Sequence, residues 1–128
     1  MKLKSLMIIN AIVAIVFGVM FVIVPVKAYS FYDITANEQL ILMGRLFGAA
    51  LIGFATLTWM ARNATDSDAR RAIVLSLFIA DSIGFVGALI GQINNVANAL
   101  GWSTVAIYLL LALGFGYFQF FKAAPTQV

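Results

Sequence analysis

The chain has 128 residues, of which 63% are hydrophobic and 10% charged, with a net charge of +3. Its mean hydropathy is +1.03, and the charges fall between four apolar runs, a pattern that excludes an ordinary soluble core. Cysteine and histidine are both absent, which excludes disulfides, thiolate nucleophiles, imidazole bases and the usual zinc, haem and iron–sulfur ligation.

Each apolar run is long enough to cross the ~30 Å hydrocarbon layer, which takes about 20 helical residues. Backbone amides inside lipid need internal partners, so the runs are expected to be α-helices. The expected spans are 6–24, 40–61, 72–93 and 100–121. They predict an all-α integral membrane protein: a single four-helix transmembrane domain over 1–128, an up-down bundle with both termini cytoplasmic. The start Met1-Lys2-Leu3-Lys4 has the look of a secretory signal. The apolar run behind it is longer than the ~7–15 residues of a signal core, so it reads as the first span.

Between the first and second spans, Tyr29, Phe31 and Tyr32 suggest a short interfacial stretch, read either as an aromatic belt or as a lid over an outward-facing cavity. Trp59 and Trp102 suit interfacial anchors at opposite faces of the membrane. The loop 63–69 offers N-caps for the third helix, with acidic residues where the macrodipole favours them. Lys2, Lys4, Arg62, Arg70, Arg71 and Lys122 lie on one side and only Lys27 on the other, which places the first side in the cytoplasm. The positive charge is explained by this orientation, and no nucleic-acid partner is expected. Lysine is missing from the interior of every span, which argues against a Schiff base in the bundle.

Small residues recur at four-residue spacing, the register that lets helices approach closely in lipid. Such pairs are Ala14 with Gly18, Gly44 with Gly48, Ala49 with Gly53, and Ala112 with Gly116. The third span carries two rows, Ser76-Ala80-Gly84-Ala88 and Gly87-Gly91, which predicts that it sits centrally.

Arg45 and Asp81 are the ionisable residues well inside the spans, and such residues are functional-site candidates. Counting ~1.5 Å per residue puts Arg45 about 10 Å further outward than Asp81. Side chains lean toward their helix N-terminus, which widens that gap on these two helices, so a direct ion pair is not the favoured arrangement. Arg45 is expected to snorkel toward an outer rim containing Glu38, Gln92, Asn95 and the neighbouring asparagines. The sharper alternative makes it the floor of an outward-facing pocket for an anionic headgroup or carboxylate. Asp81 is too short to snorkel. It is expected to stay protonated and to donate to a carbonyl, to Asn10 or to Thr56. Gly84, Ala88, Gln92 and Asn95 continue outward from it as a packing seam or as one wall of a polar path.

No nucleophile–base pair, metal cluster or phosphate loop is present, so no enzyme activity, cofactor or metal is expected. The leading expectation is a small non-catalytic multi-pass protein of the bacterial inner membrane. It would be a subunit of a membrane complex or a binder of a lipid-like hydrophobic molecule. Its partners are then the lipid bilayer and, through the small-residue faces, itself or another membrane protein. The alternative is a small proton-coupled transporter or channel with Asp81 as the protonatable site.

Overall fold

The computed structural model describes residues 1–122. The C-terminus, expected to be cytoplasmic, and the Lys122 side chain lie outside the described residues. The elements are α1 (Leu3–Ile23), α2 (Pro25–Ser30), α3 (Glu38–Ala61), α4 (Asp68–Ile93) and α5 (Gly101–Tyr117), followed by a π-helical turn (Phe118–Lys122). Four of the helices, the last counted through its π-turn to Phe121, are long and apolar enough to cross a membrane.

Local chemistry explains where these helices start and stop. Pro25 has no N–H to donate and biases the residue before it away from the helical region, so α1 ends at Ile23 and Val24 leaves helical geometry with ψ of 60°. The chain resumes as α2 with Pro25 in its first turn, where a missing N–H costs nothing. Asn37 caps α3, its Oδ1 accepting from the Leu40 N–H at 2.8 Å. Ser67 caps α4 by accepting from the Arg70 N–H at 3.2 Å. The loop into α4 is further braced by Arg71, which pairs with Asp66 at 3.0 Å and with Asp68.

The helices pack chiefly as two pairs, α1 with α3 and α4 with α5, with α1 and α5 making the contact between pairs. In the first pair the backbones themselves meet. A Cβ added at Gly48 would lie 2.6 Å from the Gly18 carbonyl oxygen, and one added at Gly18 would lie 2.9 Å from the Gly48 oxygen. The second pair instead packs rings into glycine gaps: Tyr108 lies against Gly84 and Phe78 against Gly116.

The third span, α4, is not central. It leans on α5 alone along most of its length and scarcely touches α3. Its small residues make room for the Tyr108 ring and for a cavity, rather than for a second backbone. A Cβ added at Gly87 or Gly91 would meet nothing within 4 Å beyond its own stretch of helix. The more enclosed helices are α1 and α5. Leu6 and Met7 of α1, Ala61 of α3, Val74 and Leu77 of α4, and Leu111, Phe115 and Phe118 form one buried apolar cluster at one end of the molecule. That end is called the core end below, and the opposite one the mouth.

Candidate ligand cavity

Away from the core end the two pairs part and leave a cavity of about 430 Å³. All four long helices line it: Phe17 and Phe21 from α1, Leu51 and Phe54 from α3, Ala80 and Ala88 from α4, Thr104 and Tyr108 from α5. Tyr29, Tyr32 and Ile34 of the segment after α1 line its mouth. The weakly packed α3–α4 side is the one that helix contacts scarcely close.

Hydrogen bonds hold the mouth segment across both pairs, and Asn98 is their hub. Its N–H donates to the Tyr32 carbonyl at 3.0 Å and its Nδ2 to the Phe31 carbonyl at 3.1 Å. The Asn98 carbonyl accepts from Gln92 Nε2 at 2.9 Å, and its Oδ1 from the Leu100 N–H at 3.0 Å. A second tie joins the Tyr32 hydroxyl to Thr104 Oγ1 at 3.1 Å. Tyr29 donates to the Leu40 carbonyl at 2.9 Å and meets Phe21 edge-on. Burial raises its hydroxyl pKa above the ordinary tyrosine value.

The residues singled out from the sequence separate into two groups. Asp81, Asn10 and Gln92 are brought together as the buried polar members of the cavity wall. Asp81 is 8% exposed, and its Oδ2 has no hydrogen-bond partner among the described residues. Asn10 donates to Thr58 Oγ1 at 3.3 Å, joining α1 to α3. Gln92 lies over Gly101, where a Cβ would collide with its Oε1.

The other four stand outside the cavity. Thr56 is exposed and donates to the Ile52 carbonyl of its own helix at 2.9 Å. Glu38 is exposed in the first turn of α3. Asn95 is an exposed turn residue in the left-handed region, with φ of 57°. Arg45 is exposed, and its Nε donates to the Val22 carbonyl at 3.3 Å, in the last turn of α1 where carbonyls lack helical partners. It shares a separate shallow groove with Lys27 and Ser30. It therefore does not form the floor of the cavity, and no ion pair links it to Asp81 among the described residues.

Sequence reasoning did not single out Thr58, Thr104 or Tyr108. Thr58 was within reach, because it continues the buried face Gly44-Gly48-Ala55 of α3 at helical spacing. Thr104 and Tyr108 likewise continue the buried face Gly101-Val105-Ala112-Phe115 of α5 at helical spacing, although only the tertiary arrangement brings Tyr108 beside Asp81 and Thr104 beside Tyr32. Comparison with protein-family models, with curated proteins and with solved structures gives no match.

Proposed function

We propose that this small membrane protein holds a lipid-like hydrophobic molecule between its two helix pairs and does no chemistry on it. The cavity carries this reading. Its size falls within the ~300–1,000 Å³ of small-molecule sites, and like them it has mostly apolar walls with a few polar groups. The scarcely closed α3–α4 side gives a molecule dissolved in the bilayer a lateral way in. By the positive-inside rule the core end, with Lys2, Lys4, Arg62, Arg70 and Arg71, faces the cytoplasm, and the mouth opens outward. The bundle is then up-down with both termini inside, in a bacterial inner membrane.

Native mass spectrometry on protein released from mild detergent tests the reading. The wild type is expected to retain a small hydrophobic ligand, and Ala80→Trp, which fills the cavity, to lose it. Equal occupancy in the two proteins would exclude the cavity as the site.

One observation favours a second reading, a proton-coupled transporter. Asp81 is buried, lines the cavity and leaves an oxygen without a partner among the described residues, as a proton-carrying group in a substrate path would. A pH-driven flux in proteoliposomes that disappears in Asp81→Asn, with folding intact, would move this reading ahead.

A further inference from the structure

We propose that the cavity selects lipophilic cations, molecules with an ammonium-type charge on an apolar body, and that Asp81 is their counter-ion. The inference rests on the cavity being a ligand site and adds the sign and class of the ligand. Among the described residues lining the cavity Asp81 is the only acidic one, and none is a lysine or arginine. Arg45, the cation expected to set the sign of a ligand, lies in the separate groove beside Lys27.

The two amides of the wall each commit one of their two N–H groups to the protein. Asn10 Nδ2 is held by Thr58, and Gln92 Nε2 by the Asn98 carbonyl. An anionic ligand would meet a carboxyl group and no positive charge among the described lining residues. A cation would meet a carboxyl whose Oδ2 lacks a partner among the described residues. Bringing in a charge partner satisfies a group that is otherwise costly to bury.

Aromatic rings complete the fit. Phe17, Phe21, Phe54 and Tyr108 line the same space from three helices. Tyr108 packs against Gly84, three residues or ~4.5 Å along α4 from Asp81, so ring and carboxyl line neighbouring levels of the cavity. Ring faces attract ammonium groups, most strongly where water is excluded.

The test uses the full chain in nanodiscs of zwitterionic lipid and two radiolabelled probes of one shape: phenylbutyl-trimethylammonium and its uncharged isostere with carbon in place of nitrogen. Ala80→Trp gives the background from partition into the bilayer. The wild type is expected to bind the cation about tenfold or more tightly than the isostere. Asp81→Asn is expected to lower the cation's affinity to that of the isostere while leaving the isostere unchanged. Equal binding of both probes by the wild type would overturn the choice of cations and leave the cavity standing. The same holds for a cation preference that survives in Asp81→Asn. Absence of saturable binding for either probe would remove the cavity reading itself.

Discussion

Asp81 and Asn98 carry opposite kinds of polar chemistry, and each sets an expectation of its own. Asp81 has no ion-pair partner among the described residues, so Asp81→Asn strands no buried cation. Its thermal stability in detergent is expected within about 1 kcal/mol of wild type, whereas breaking a buried ion pair typically costs ~3–5 kcal/mol. A severe loss, rescued by neutralising Arg45 as well, would contradict the geometry. Asn98 is exposed, yet its side chain and backbone tie the segment after α1 to the turn before α5. Asn98→Ala removes both side-chain bonds and is expected to cost on the order of 1–2 kcal/mol. Hydrogen exchange should quicken at the mouth segment and stay unchanged in the core-end cluster; uniform protection would contradict the tie. Asp81 was legible in the sequence because one acid in an apolar run announces itself. Thr56 was the wrong threonine because depth in the membrane was counted and helix face was not. Two residues along a helix are about 200° apart, so Thr58 faces α1 while Thr56 faces away.

At the scale of the elements, the same small-residue spacing serves three different purposes. Gly18 and Gly48 let α1 and α3 touch backbone to backbone, Gly84 and Gly116 receive rings, and Gly53, Gly87 and Gly91 face open space. Gly48→Leu is therefore expected to lower bundle stability by at least about 1–3 kcal/mol, because the obstacle is a carbonyl that cannot move aside. Gly87→Leu is expected to be close to neutral. Similar losses in both variants, measured by thermal unfolding in detergent, would contradict the pairing of α1 with α3. The apolar runs made the four long helices readable, and Pro25, Asn37 and Ser67 account for ends that hydropathy alone leaves vague. The peripheral place of α4 was not readable. A row of small residues states that something large or close lies opposite, and does not say whether that is a backbone, a ring or an empty cleft.

At the scale of the whole molecule, two helix pairs are joined by an apolar cluster at one end and by Tyr32, Asn98 and Thr104 at the other, with a cavity between. The sequence pointed to a lid over an outward cavity only as an alternative. Only the packing reveals that Tyr29, Tyr32 and Ile34 line a cavity that Asp81 also lines. The proposed lateral opening requires that the chain cross the membrane four times, and the proposed outward mouth requires in addition that the α3–α4 loop lie inside. That requirement can be measured directly, since the chain has no cysteine to interfere. The best positions avoid Ser67, which caps α4, and Asn95, whose positive φ strains a substituted side chain. Thr65 in the α3–α4 loop and Ala99 before α5 are both exposed. Thr65→Cys and Ala99→Cys are to be treated separately with a membrane-impermeant maleimide on intact cells and then on opened ones. Ala99→Cys is expected to label from outside, and Thr65→Cys only after the cells are opened. Labelling of Thr65→Cys on intact cells would contradict the orientation, and with it the outward-facing mouth.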